Sequence, residues 1–168
     1  MKKIGLFYGK NTVKTANVAK KIQEAFGDNE IDLVTVEDAW KKEFESYKYL
    51  IAGTSTWFDG ELPNSWDELM PLLNTLDLKN KKVAIFGLGN QKDYPDNFVD
   101  GIGILAEVFE KVGAKIVGFT SAEEYDFNHS LAFKDEKFVG LVIDVENQAK
   151  KTDKRVKDWV ESLKKEFQ

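Results

Sequence analysis

The chain has 168 residues, 42% of them hydrophobic and 32% charged, and a net charge of -5. That length suits one domain burying about two-thirds of its unfolded surface, and that balance excludes a disordered chain and a membrane protein. No apolar run approaches the ~18 residues that span a bilayer, and Met1-Lys2-Lys3-Ile4-Gly5 does not read as a secretory signal, so a cytoplasmic protein is expected.

In chain order, Lys3–Tyr8 reads as a strand. Ala16, Ala19, Ile22 and Phe26 then repeat at helical spacing and stop at Gly27, a C-terminal cap. Strands follow at Ile31–Val36 and Tyr49–Gly53. Pro63 or Asn64 opens a helix carrying Trp66, Leu69, Met70 and Leu73, and Lys82–Gly87 is a fourth strand. Ile102, Leu105, Phe109 and Val112 mark a helix closed by Gly113, and a fifth strand runs over Lys115–Gly118 with a companion at Phe138–Ile143. Between those two, Thr120–Lys137 fits neither period and reads as an insertion splitting the fifth strand. Val156, Trp159, Val160, Leu163 and Phe167 form the last helix, capped by Thr152 or Asp153.

Strands one, three and four are short and almost continuously apolar, the pattern of parallel strands covered on both faces. Strands alternating with helices predict an α/β fold: a doubly wound five-stranded parallel sheet, order 2-1-3-4-5, in one domain over 1–168. Trp40, Trp66 and Trp159 are expected in the core or under a neighbouring helix, and His129 is expected at the surface. Asp93, Asp96 and Asp100 are expected to face the positive end of a helix.

There is no Cys and one His, His129, so disulfides, thiolate chemistry, multi-His metal sites and most His-based triads are excluded. Charge is unevenly spread. Residues 1–53 hold nine Lys against eight acids, 54–146 hold eight Lys against seventeen acids, and 147–168 hold seven basic residues against four acids. An acidic middle disfavours nucleic acid and favours a partner with a basic surface.

In a sheet of this order, ligands bind beyond the carboxyl ends of strands 1, 3 and 4. The first such loop, Gly9-Lys10-Asn11-Thr12-Val13-Lys14-Thr15, leads into a helix whose free N–H groups and hydroxyls suit a phosphate, or simply a capped helix. It is not a P-loop, since the spacing of Gly9 to Lys14-Thr15 is wrong. The second, Thr54-Ser55-Thr56-Trp57-Phe58-Asp59-Gly60, places two large rings where they either pack on the body or cover a flat ligand. The third runs from Gly87 to Phe98 and offers Tyr94. Its Gly87-Leu88-Gly89 is a weak dinucleotide signal, because Lys92 stands where a Gly would be needed.

Together the three loops describe a site for a planar ring with a phosphate tail. The chain resembles the flavodoxins, and within them the long-chain class. The resemblance rests on Ile4 to Gly9 with Thr12 and Thr15, on Gly53 to Trp57 with Gly60-Glu61-Leu62, and on Gly87 to Tyr94 with Asp96-Asn97-Phe98. It continues through Tyr125-Asp126-Phe127, Phe138 to Leu141, Asp144 and Asn147-Gln148, with 120–137 as the long-chain insertion. It implies non-covalent FMN and a low-potential one-electron carrier between redox proteins. Lys10, Asn11, Thr12, Val13, Lys14 and Thr15 would surround the phosphate, with Thr54, Ser55 and Thr56 beside it. Trp57 and Tyr94 would cover the ring's two faces, and Phe58, Asp59, Gly60, Leu88, Gly89, Asn90, Asp93, Asn97 and Phe98 would line its edge. Glu146 would lie near the ribityl chain.

Lys10 and Val13 depart from the family's loop, where Thr or Ser and Gly are usual. A β-branched residue at 13 is harmless only if its φ is negative. Asp59, Glu61, Asp93 and Asp96 would steer a basic partner such as a ferredoxin–NADP reductase, or photosystem I or another low-potential donor or acceptor, toward a monomer. The alternative on the same fold is an FMN-dependent, quinone-reductase-like oxidoreductase. A receiver domain is excluded, because Tyr8-Gly9 and Gly53-Thr54 stand where its acids belong.

Overall fold

The computed structural model describes residues 2–168. Ile4–Tyr8 forms β1, followed by α1, Val13–Phe26. Ile31–Thr35 is β2, and Lys41–Ser46 is a short α2 before β3, Tyr49–Ser55. Asn64–Asp67 (α3) and Met70–Leu73 (α4) precede β4, Lys82–Leu88. Asp100–Lys111 is α5 and Lys115–Val117 is β5. Three two-residue strands follow, β6 at Thr120–Ser121, β7 at Phe133–Lys134 and β8 at Lys137–Phe138. The chain ends with β9, Leu141–Ile143, and α6, Thr152–Glu166.

The main sheet is parallel, in the order β2-β1-β3-β4-β5, and β9 also pairs with β4. β5 runs beside Lys82 to Ala84, and β9 beside Phe86 to Leu88, so two separate pieces form the fifth strand as expected. Between them, β6, β8 and β7 make a small antiparallel sheet. Phe138 was expected in the main sheet, but it belongs to β8. The chain breaks at Gly140, where a Cβ would stand 2.2 Å from the Ile85 carbonyl oxygen.

Successive residues of one strand point to opposite faces, and here both faces are buried. Phe7, Leu50, Ala52, Val83 and Ile85 pack with Phe44 of α2, Trp66 of α3, Leu73 of α4 and Phe109 of α5. Leu6, Ile51, Ala84 and Phe86 pack with Val18 and Ile22 of α1 and Trp159 and Leu163 of α6. That double burial explains the unbroken apolar runs.

Four local expectations change. The helix expected over Trp66 to Leu73 is two single turns. Pro71 has no N–H to give the Asp67 carbonyl, so the ladder is interrupted. Val36 leaves β2 and opens a 3-10 turn. Thr152 is the first residue of α6 rather than its cap, and its buried hydroxyl has no partner. Trp66 and Trp159 are buried, whereas Trp40 is 70% exposed at the mouth of α2.

Candidate functional site

β1, β3 and β4 are neighbours, and their carboxyl ends deliver the three loops to one edge of the sheet. In the first loop, the Thr12 hydroxyl donates to the Gly9 carbonyl at 2.9 Å and so does not cap α1. The first intrahelical bond runs from Ala16 N to Thr12 O at 2.9 Å. The N–H groups of Val13, Lys14 and Thr15 therefore have no acceptor within the helix, which is the donor set an anion requires. Val13 sits in the helical region with negative φ, so its branched side chain is unstrained, and it points into solvent. Lys10 is placed differently from the expectation. Its N–H donates to the Glu37 carboxylate at 3.1 and 3.2 Å, and its ammonium lies 3.9 Å from Asp38. Two acids on the segment after β2 thus take its N–H and lie near its ammonium. Asn11 is exposed beside it.

Thr15 is fully buried, and its hydroxyl meets that of Ser55 at 2.8 Å, locking the first loop to the second. Lys14 forms an ion pair with Glu146, which brings the loop after β9 to the same place. The Thr54 hydroxyl donates to the Ser55 carbonyl at 2.8 Å, and that of Thr56 accepts the Gly101 N–H at 2.9 Å, tying the second loop to the start of α5.

Trp57 and Glu61 exchange two backbone hydrogen bonds of 2.7 Å, which makes Phe58-Asp59-Gly60 a tight tip. The tip needs left-handed backbone at Gly60, φ 93°, and imposes φ 48° on Phe58. A Phe is poorly suited to that geometry, and its ring is 70% exposed, edge-on to Trp57 at 6.4 Å. In the third loop Tyr94 is 52% exposed, and its N–H donates to the Asn90 carbonyl at 2.9 Å. Asn90 and Asp93 bond each other twice, both at 3.0 Å. Exposed rings on two adjacent strand ends, beside a free helix start and buried hydroxyls, fit a flat ligand with an anionic tail.

Two residues expected to line that ligand are committed elsewhere. Phe98 is buried against Tyr125, Phe127 and Phe138, and its N–H donates to His129 O at 3.2 Å. The Leu88 side chain is buried under the sheet with Leu141 and Ile143. Both are apolar, and the core takes them first. Asn97 lies behind Gly60, where its Cβ would come within 3.2 Å of an added Cβ. Gly89 is packed against Val99 and Phe98. Of the three carboxylates expected at a helix start, only Asp100 lies in the first turn of α5. Asp93 is in the Asn90 turn, and Asp96 accepts the Asn128 side-chain amide at 2.8 Å.

Asp100 backs the tip of the second loop. It is buried, and its Oδ1 accepts the Leu131 N–H at 2.8 Å. Burial pushes its carboxyl above the usual range, against the opposing Leu131 bond and the nearby His129. A carboxyl raised in this way binds its proton more tightly folded than unfolded. Its cost to stability therefore grows as pH rises from the unfolded value, about 3.9, through the folded one. Asp100→Asn is expected to raise Tm at pH 7 and to change it little near pH 4. An equal shift at both pH values would count against this account.

Sequence reasoning did not single out Gln91, and it gave Asp144 and Asn147 no role. All three converge behind the Tyr94 loop. Their one local signal is an Asp directly after an apolar strand, with an Asn three residues on.

The Flavodoxin family model matches residues 6–159. A flavodoxin of Nostoc sp. is 48% identical over 166 residues, covering 99% of this chain and 98% of its own. A Synechococcus elongatus flavodoxin is 45% identical over 99% of both chains. A crystal structure of Fusobacterium nucleatum flavodoxin bound to flavin mononucleotide superposes with a TM-score of 0.94 at 34% identity, over 100% of each chain. With likeness this even from end to end, and the three loops where such a fold keeps its ligand, the chain belongs to the flavodoxin family.

Proposed function

We propose that the protein is a low-potential one-electron carrier that holds FMN non-covalently in the cleft of the three loops. The observation that carries this reading is the meeting of the free α1 N-terminus with the half-buried Trp57 ring and the exposed Tyr94 ring at one sheet edge. When bound, FMN supplies the redox chemistry. The N–H groups of Val13, Lys14 and Thr15 hold its phosphate, with the Thr12, Thr15 and Ser55 hydroxyls beside them. Lys14 adds charge while Glu146 orients it. Trp57 and Tyr94 cover the ring and keep water from it, and the Phe58-Asp59-Gly60 and Gly89-Asn90 backbones meet its polar edge. The full-length family match favours the carrier over a quinone-reductase-like oxidoreductase.

The visible spectrum tests this. Apoprotein titrated with FMN is expected to bind it at one site per chain, giving a yellow protein that NADPH alone does not reduce. A chain that takes up no flavin would overturn the reading.

The finer assignments are a single domain over 1–168, with 120–137 as the long-chain insertion, acting as a cytoplasmic monomer. No helix among the described residues is long and apolar enough to cross a membrane. Asp59, Glu61, Asp93 and Asp96 are all exposed around the cleft. Their field suits a basic partner such as a ferredoxin–NADP reductase, or photosystem I or another low-potential donor or acceptor. Electron transfer to a ferredoxin–NADP reductase is expected to slow as ionic strength rises past 0.1 M, where the Debye length is about 10 Å. A rate constant flat across that range, measured by stopped flow, would remove the steering role.

A further inference from the structure

The loop that carries Tyr94 has no strand or helix of its own, yet it is held from behind by one buried carboxylate. We propose that Asp144 is a positioning residue that sets the place of the Tyr94 ring over the flavin, acting through Gln91 and Asn147. The inference rests on the FMN reading above.

Asp144 follows β9 and is fully buried. No lysine or arginine pairs with it among the described residues. N–H groups surround it instead. Its Oδ2 accepts Gln91 N at 3.0 Å, Gln91 Nε2 at 2.8 Å and Asn147 Nδ2 at 2.9 Å. Its Oδ1 accepts Asn147 N at 3.0 Å and Asn147 Nδ2 at 3.1 Å. A buried charge without a counter-ion is tolerated only when donors are aimed at it this closely.

Those donors lead to the ring. Asn147 Nδ2 also donates to Asn90 Oδ1 at 2.9 Å, and the same oxygen accepts Asp93 N at 3.0 Å. The Asn90 carbonyl then takes the Tyr94 N–H at 2.9 Å. On the other side, Gln91 Oε1 accepts Asp126 N at 2.8 Å, so the segment between β5 and β9 is fastened to the same carboxylate. Only an acceptor with two oxygens can serve this set. An amide at 144 would turn an N–H toward other N–H groups.

The test measures FMN affinity of the whole protein in a double-mutant cycle, with the fluorescence of bound flavin as a second readout. Asp144→Asn alone is expected to weaken FMN binding about tenfold or more, the scale of lost hydrogen bonds to a charged group. Bound flavin should also recover fluorescence as the Tyr94 ring moves off it. In a Tyr94→Ala background the same change is expected to cost less than about threefold, because the ring it positions is gone. Equal factors in both backgrounds, or full affinity in a folded Asp144→Asn protein, would overturn the inference. If Asp144→Asn does not fold, Asn147→Ala keeps both Gln91 bonds and is expected to show the same non-additive pattern at smaller size. Additive behaviour there would also overturn it. Wild type that takes up no FMN sinks the functional reading itself, whereas wild type that binds FMN with no such coupling sinks this inference alone.

Discussion

Replacing Trp66 with alanine is expected to lower the stability of the apoprotein by about 3–5 kcal/mol. Trp66 is 1% exposed and packs edge-on against Phe109 at a centroid distance of 6.4 Å. Its indole N–H also donates to the buried Gly53 carbonyl at 2.9 Å, so truncation leaves a cavity and removes a donor together. For a domain of this size the loss corresponds to a fall in Tm of roughly 6–20 °C. Trp66→Phe keeps most of the packing but removes the N–H together with part of the ring volume, and should cost about 1–3 kcal/mol. Gly53 immediately precedes the Thr54 to Trp57 loop, so FMN binding should weaken in the alanine variant as well. Thermal unfolding of both variants checks the ordering. A phenylalanine variant as unstable as the alanine one would assign the effect to the hydrogen bond instead of the packing.

Replacing Tyr94 with alanine is expected to bring the two one-electron reduction steps closer together by about 60 mV or more, tenfold in the one-electron equilibrium. With the ring held between Trp57 and Tyr94 as proposed, negative charge added to it would lose water and meet the carboxylates of Asp59, Glu61 and Asp93. Both effects lower the potential of the second step. Without the tyrosine, water reaches the ring and that step becomes easier. Redox titration followed by absorbance tests this. A wild type that takes both electrons in one unresolved step would favour the oxidoreductase reading, and an unchanged gap in the variant would remove Tyr94 from the tuning.

Much of this architecture was legible from local pattern. Residues 83–86 are apolar without a break because Val83 and Ile85 face one helical layer while Ala84 and Phe86 face the other. Gly27 and Gly113, at φ 100° and 103°, end helices as their type suggests. The break at Pro71 was also readable, from the missing N–H, but the stripe Trp66-Leu69-Met70-Leu73 outweighed it. Trp40 was misplaced because a large ring in a helical stripe is normally core, and here it precedes the six-residue α2 rather than lying on it. Phe98 resembled a ligand contact by position along the chain, but an apolar ring beside Tyr125, Phe127 and Phe138 is drawn into the core.

By itself the sequence determined the strand and helix periods, which depend on spacing within a few residues, and the alternation of strands with helices made the doubly wound order, with three loops at one sheet edge, the leading choice. Tertiary structure alone decided which polar groups meet. Lys14 and Glu146 are 132 positions apart, as are Lys21 and Asp153, while Gln91 and Asp144 are separated by 53. It also decided that Lys10 turns to Glu37 and that Val13 is helical. Burial follows from local periodicity because side chains alternate along a strand whatever lies opposite. A hydrogen-bond partner does not, because it is chosen only once the sheet register has brought distant loops within about 3 Å of one another.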